Sequence, residues 1–368
     1  MTRIFVYEHL TCGGLLEDPD SPESLLREGA AMLCAVVEDF LAAGCEVQLL
    51  LSNRVHGLLN GLSAKRGGCD AKCLQIDVVE SASQCRARFG ELAAAADWTL
   101  VIAPETNGTL TELHNIVRQS GGRILGVSKQ VCELASSKSL SADFLAARGV
   151  LVPHGVQIQV QHNAAPGAQD CQQHRGTWTD FPAILKPDDG CGSIGVQRVA
   201  SNRELLAALL SNQTTATDRR LERYISGIAA SVSVILSPRD DMILPACYQH
   251  LGGDCGLEFH GSSHIKDCGL ADRATRLARQ VVQALRSIDE GAPSLGWLGI
   301  DVVLGGEGPM ESPSRCEQQS PVAKTPGTND VVIEINPRLT SSYLTLRSRA
   351  NLAAAMLSAA ESMSQTPA

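Results

Sequence analysis

The opening third of the chain alternates strand and helix signals in an order that leaves few folds open. "RIFVYE" (3–8) is an apolar run of strand length, "SPESLLREGAAMLCAVVEDFLAAG" (21–44) spaces its apolar residues as a helix does, and "CEVQLLLS" (45–52) is a second strand. Ser21 is placed to cap that helix and Pro22 to open it, because a first-turn residue has no use for an N–H. Two strands joined through a helix pair in parallel, since only a tight turn reverses the chain onto its neighbour. Helix signals over 81–96 and 108–120, with strands at "TLVIAPE" (99–105) and "RILGV" (123–127), extend the pattern. Residues 1–135 are therefore expected to form a parallel α/β domain.

Beyond this the pattern turns to strand pairs. "FPAILKP" (181–187) and "GVQRVA" (195–200) flank the glycine-rich "DDGCGSI" (188–194), and "SNRELLAALL" (201–210) reads as a helix with Ser201 and Glu204 as a capping box. "LERYISG" (221–227) runs straight into the apolar "AASVSVILS" (229–237), which reads as continuous strand. An α+β organisation is expected, divided into 136–226 and 227–368. The stretches 161–180 and 305–330 are polar and rich in Gly, Pro, Gln and Ser, and read as loops.

Composition closes off several function classes. Hydrophobic residues make up 44% and charged residues 19%, as in a soluble globular protein, and a formal charge of −9 argues against a nucleic-acid partner. No apolar run reaches membrane-spanning length and "MTRIFVYEHL" lacks the features of a signal peptide, so a cytoplasmic protein without a membrane partner is expected. The 13 cysteines form no CxxC pair and fit reduced, mostly buried thiols. Cys247, Cys255, His260, His264 and Cys268 follow no zinc-binding spacing.

Two segments carry chemistry. In "ILKPDDGCGSIGV" (184–196), Lys186 ends a strand and Gly190, Gly192, Ser193 and Gly195 precede the next, so backbone N–H groups and a lysine charge can meet phosphate oxygens. An ordinary β-hairpin loop is the alternative reading. In "VVIEINPRLTSSY" (331–343), Glu334 and Asn336 share a strand face. If that strand pairs with "WLGIDVVLGG" (297–306), Asp301 joins them in a hard oxygen site suited to Mg²⁺, or to Mn²⁺, bridging a nucleotide's phosphates. Arg338 adds a fixed fork for a phosphoryl or carboxylate group. A solvated strand end closed by an Asn-Pro turn is the plain alternative.

Lys138 in "SSKSLSADFLAARGVLVP" (136–153), Lys186 with its glycine loop, "LERYISG", "GIDVVL" (299–304) and "EINPR" (334–338) stand in the order of the ATP-grasp superfamily, which the chain resembles over about 124–345. The resemblance implies an N-terminal Rossmann-like pre-ATP-grasp domain (1–135), a small ATP-lid α+β subdomain (136–226) and a C-terminal α+β catalytic subdomain (227–368). It implies that Lys138 and Lys186 touch ATP phosphates under the Gly190–Gly195 loop, and that the backbone of Glu222, Arg223, Tyr224 and Ile225 reads adenine. It also implies that Asp301, Glu334 and Asn336 hold magnesium, with Arg338 and Lys186 as catalytic groups. Ser137 departs from the aspartate that often precedes the first lysine. Ile228 and Ala229 replace the acid that often binds ribose.

The activity so implied is an ATP-dependent carboxylate–amine ligase working through an acyl phosphate, with ADP and phosphate as products and small-molecule acid and amine substrates. "FVYEHLTCGG" (5–14), "VIAPETNGTL" (101–110), "GIAASVSVIL" (227–236) and "EINPRLTSSY" (334–343) look like the tyramine–glutamate ligase group, which serves the methanofuran type of one-carbon carrier. Glutamate joined to tyramine, tyrosine or a similar amine is the implied reaction. Glu8 and Glu105, at strand ends of the first domain, are candidates to hold the amine, and Tyr248, Gln249, Ser342 and Tyr343 are further substrate candidates. The rival readings are a ligase for another amino-acid or peptide pair and a non-catalytic nucleotide-binding regulator; a homodimer is the assembly to test.

Overall fold

The computed structural model describes residues 1–17, 22–55, 73–159, 178–211, 218–253, 257–289, 293–305 and 329–362. Its first sheet has four parallel strands in the order β3-β2-β1-β4: β1 Arg3–Glu8, β2 Glu46–Ser52, β3 Leu74–Val79 and β4 Trp98–Ile102. Alternation along β1 sends Ile4 and Val6 to helix α1 (Glu23–Ala42) and Phe5 and Tyr7 to α2 (Ala82–Ala95) and α3 (Thr109–Gln119). Buried on both faces, the strand reads as an unbroken apolar run.

The second sheet is antiparallel, ordered β12-β11-β9-β13-β14 with β10 also on β9. Its strands are β9 Gly227–Leu236, β10 Met242–Ile243, β11 Cys247–Gly252, β12 Glu258–His264, β13 Gly296–Gly305 and β14 Val331–Asn336. Leu298, Ile300 and Val302 of β13 pack with Leu277, Ala278 and Val281 of an amphipathic helix (Cys268–Arg286) on one face. Trp297 packs on the other face with Met356 of a helix over Leu352–Glu361, and Asp301 lies on that second face by alternation. The third sheet, β5-β8-β6-β7, is formed by Gly155–Ile158, Arg219–Arg223, Ala183–Pro187 and Gln197–Val199. It covers a small core of Ala183, Leu185, Val199, Leu205 and Leu221.

Several local expectations hold and others are corrected. Ser201 Oγ accepts the Glu204 N–H at 3.3 Å as expected of the cap, while Glu204 accepts from Ala200 N–H at 2.9 Å, so the return bond falls one residue before the cap. Ser21 lies outside the described residues, and Pro22 sits at the cap of α1 with no side-chain bond rather than inside the helix. "RILGV" is not a strand and makes a single bridge, Thr99 to Ile124. It leaves the sheet because Gly126 O accepts from Leu295 N–H and Ser128 N–H donates to Ser294. β3 is an addition to the expected strands, although Leu74, Ile76 and Val78 alternate with Gln75 and Asp77 along it. "LERYISG" and the run after it are not one strand: β8 ends at Arg223 in the third sheet and β9 begins at Gly227 in the second. A Cβ at Gly227 would lie 2.4 Å from Leu304 O, so the crossing requires glycine there. The polar stretches fall mostly at 160–177 and 306–328, outside the described residues. No described helix is long and apolar enough to cross a membrane.

His114, 2% exposed on α3, gives a test of this core. Burial lowers its pKa to about 3, below the ordinary value near 6.5. The folded state stays neutral while the unfolded chain takes a proton, so stability is full above pH 6.5 and falls as pH drops toward the folded value. His114→Gln is expected to flatten the denaturant-melt profile between pH 6.5 and 5 by up to about 1.4 kcal/mol per pH unit relative to wild type. Parallel profiles would sink this assignment.

Candidate active site

The strand pairing expected for the acidic cluster is present. Asp301 of β13 stands directly across from Glu334 of β14, and Asn336 Nδ2 donates to Asp301 Oδ2 at 3.1 Å. Gln249 on β11 donates to Asp301 Oδ1 at 2.9 Å, so this substrate candidate belongs to the cluster. Tyr248 does not: it pairs with Ala230, whose side chain joins the core on the opposite face. Burial and the Glu334 charge push Asp301 up to about 8. Burial also works against the Glu334 charge, but Lys138 and then Lys186 outweigh it and hold Glu334 below its ordinary value. Two facing carboxylates with a carboxamide beside them are the donor set a hard divalent cation fits, and such a cation would supply the positive charge that lets both carboxylates ionise.

Lys138 comes from the start of helix α5 (Lys138–Ala146), whose preceding helix α4 is Lys129–Ala135. Its Nζ lies 3.3 Å from Glu334 Oε2 and donates to Gly190 O of the glycine loop. Ser137, the departure from the family pattern, caps α5 by accepting the Leu140 N–H and donates to Asp188 at 2.5 Å. Asp188 also accepts the Ser139 N–H at 2.8 Å. The residue after Pro187 therefore fastens the lysine-bearing helix to the end of β6, a role that the reading of "DDGCGSI" for its glycines alone did not find.

Lys186 is 3% exposed and its ammonium lies 2.5 Å from Glu222 Oε1, while Arg220 Nε reaches Glu222 Oε2 at 2.8 Å. The Glu222 side chain thus holds two buried cations in place. The backbone N–H groups of Arg223 and Tyr224 are given to His154 O and Pro182 O, each at 2.9 Å, so they are committed within the fold and not to a base. Arg223 is exposed, Ile225 half-buried, and the guanidinium of Arg198 lies 4.2 Å above the Tyr224 ring. Gly192, Ser193 and Gly195 all have left-handed φ (62°, 60° and 73°), forming the predicted loop between β6 and β7.

Arg338 meets a residue that the chain order gave no reason to pair with it. Its Nη2 donates to Glu105 Oε2 at 3.2 Å and its Nε lies 3.0 Å from Oε1, with the N–H off the line to that oxygen. Burial disfavours the guanidinium charge, but Glu105 overrides it and raises the pKa further. Glu8 is closed off: its carboxylate accepts from Thr11 N–H, Thr11 Oγ1 and Leu10 N–H inside its own turn and is 4% exposed. Ser342 and Tyr343 are corrected too. The Ser342 hydroxyl meets Ser233 and Thr340 at 2.9 Å, and Tyr343 is fully buried with its OH 2.5 Å from Asp39, because the turn into their helix (Ser342–Leu346) points both inward.

The ATP-grasp domain family matches residues 135–342, and the pre ATP-grasp 3 domain family matches 62–131. The chain is 21% identical to tyramine–L-glutamate ligase of Methanocaldococcus jannaschii over 353 residues, which cover 95% of this chain and 86% of that one. Among solved structures it is similar to an ATP-grasp superfamily protein from Archaeoglobus fulgidus, with TM-score 0.64 and 18% identity over 97% of this chain and 88% of that one. It is also similar to D-alanine–D-alanine ligase from Bacillus anthracis complexed with ATP, with TM-score 0.58 and 14% identity over 99% and 98% of the two chains. With residues 135–342 matching the ATP-grasp domain and the facing carboxylates, paired lysines and glycine loop within or beside that span, the chain belongs to the ATP-grasp family.

Proposed function

We propose that this ATP-grasp ligase joins a small-molecule carboxylate to an amine through an acyl phosphate made with ATP, releasing ADP and phosphate. Glutamate is the proposed acid and tyramine, tyrosine or a similar amine the acceptor, in the making of a methanofuran-type carrier; the similarity to the Methanocaldococcus jannaschii enzyme supports this choice. The observation that carries the reading is the convergence of Lys138, Glu334, Asp301 and Arg338 in one half-buried cluster beside the glycine loop.

Each group has a task in that chemistry. Lys138, Lys186 and the N–H groups of Gly190–Gly195 neutralise and orient the phosphates, which is most of what phosphoryl transfer asks of a protein. Asp301, Glu334 and Asn336 would hold Mg²⁺, which supplies charge neutralisation at the transferring phosphoryl group when bound. Arg338, its Nη2 and Nε sides turned to Glu105, would offer its remaining N–H groups to the acyl phosphate and then to the oxyanion formed when the amine attacks. Phosphate leaves as the amide forms, and no protein nucleophile is required.

Incubation with ATP, Mg²⁺, glutamate and a panel of amines tests the proposal by following ADP, AMP and phosphate. Amine-dependent ADP plus phosphate is expected. AMP would overturn the acyl-phosphate route in favour of adenylation, and no turnover with any pair would overturn the substrate assignment.

A further inference from the structure

Three successive residues after β4 each reach a different part of the ATP-grasp unit. Glu105 holds Arg338, Thr106 Oγ1 lies 3.9 Å from Cys191 Sγ, and Asn107 N–H donates to Asp189 Oδ2 at 2.8 Å. Asp189 and Cys191 flank Gly190, the residue whose carbonyl accepts from Lys138. The turn that presents them is unusual: Asn107 is left-handed (φ 56°, ψ 22°) and so is Gly108 (φ 71°, ψ 14°). It is braced from within, since Gly108 N–H donates to Glu105 O at 3.0 Å and Thr109 Oγ1 to Thr106 O at 2.9 Å. A non-glycine residue in this conformation persists where its surroundings over-determine it.

We propose that segment 105–107 is a positioning element with two separable tasks: Asn107 and Thr106 latch the glycine loop shut through Asp189 and Cys191, while Glu105 fixes the direction of the Arg338 fork. The second task rests on the ligase reading given above; the first rests on geometry alone. The logic is that of preorganisation. A glycine loop with several left-handed residues has much freedom to lose, and an anchor on the neighbouring sheet removes that loss from the nucleotide-binding step. A guanidinium held at two points presents its remaining N–H in one direction, which a free arginine side chain does not. Neither Glu105 nor Asp189 touches a reacting atom in this scheme; both act through other groups.

The latch is tested first in the ligand-free full chain, by the rate at which N-ethylmaleimide labels Cys191, read by peptide mass spectrometry against exposed Cys268 as internal reference. Asp189→Ala is expected to raise the Cys191 rate about tenfold relative to Cys268 as the loop opens, while Glu105→Gln leaves it within about twofold. An unchanged Cys191 rate in Asp189→Ala would overturn the latch. Steady-state kinetics then separates the two tasks. Asp189→Ala is expected to raise the KM for ATP about tenfold with kcat within about threefold, and Glu105→Gln to lower kcat at least about tenfold with the KM for ATP unchanged. The same loss of kcat and KM in both variants would mean a merely structural segment and overturn the division of tasks. A wild-type protein that turns over no substrate pair would count against the ligase reading, while the thiol experiment would still decide the latch.

Discussion

Glu334→Gln is expected to lower amine-dependent ADP release by a factor of about 10² to 10³ or more, with the thermal midpoint near that of wild type. The carboxylate is held ionised by Lys138 and by the field of Lys186, in spite of burial, so glutamine removes a negative charge from the cluster. Its loss leaves Lys138 with only the Gly190 carbonyl among these partners, and it relieves Asp301 of the second cause of its raised pKa, burial remaining. The Glu334–Asp301 backbone register does not depend on the side chain, and glutamine keeps the volume, so the fold is retained. ADP and phosphate assays, together with Mn²⁺ titration followed by electron paramagnetic resonance, check the two halves of the claim. Unchanged turnover would remove the cation assignment from β13 and β14.

The largest loss of stability is expected far from that cluster, at Asp39. This residue of α1 accepts from Tyr343 OH at 2.5 Å and from Arg347 Nη2 and Nε at 2.6 and 3.1 Å, and its carbonyl takes the Asn351 side chain at 2.8 Å. One carboxylate thereby ties the helix of the first sheet to the C-terminal segment. Removing a single partner from such a cluster leaves the others uncompensated, so Asp39→Ala should cost roughly 2–4 kcal/mol, at the low side for a buried pair because Arg347 is partly exposed. Tyr343→Phe should cost about 1–2 kcal/mol and leave kcat within about twofold, since the ring packs edge-on against Trp297 and meets no open pocket. Denaturant melts measure the first effect. A large fall in kcat for Tyr343→Phe would restore the substrate role that its burial denies.

The parts of the site that were legible in the sequence are those carried by short runs. Glu334, Asn336 and Arg338 lie within one strand end, and Lys186 and its glycines within one hairpin. Their types point to a chemistry before any fold is known, because gathering charged groups at the end of an apolar strand costs free energy that packing alone does not return. Lys138 belongs with them only through its order in the chain. The parts that were not legible are pairings across long separations. Arg338 finds Glu105 across 233 residues, and Tyr343 finds Asp39 across 304. Glu8 is closed off locally by Leu10 and Thr11, whereas the role of Glu105 is set by an arginine far along the chain.

Periodicity determined by itself that the chain begins with parallel α/β units and continues with antiparallel pairs, since helix and strand spacings follow from backbone geometry over a few residues. It also determined that Asp301 and Glu334 could face one another if their strands paired. Only the tertiary structure decided that β8 and β9 part into different sheets, that "RILGV" leaves the first sheet for residues 294–295, and that Tyr343 turns inward while Gln249 turns toward Asp301. The physical reason is that a polar side chain is satisfied by whichever partner the packing brings within about 3 Å, and that choice is made by the whole chain.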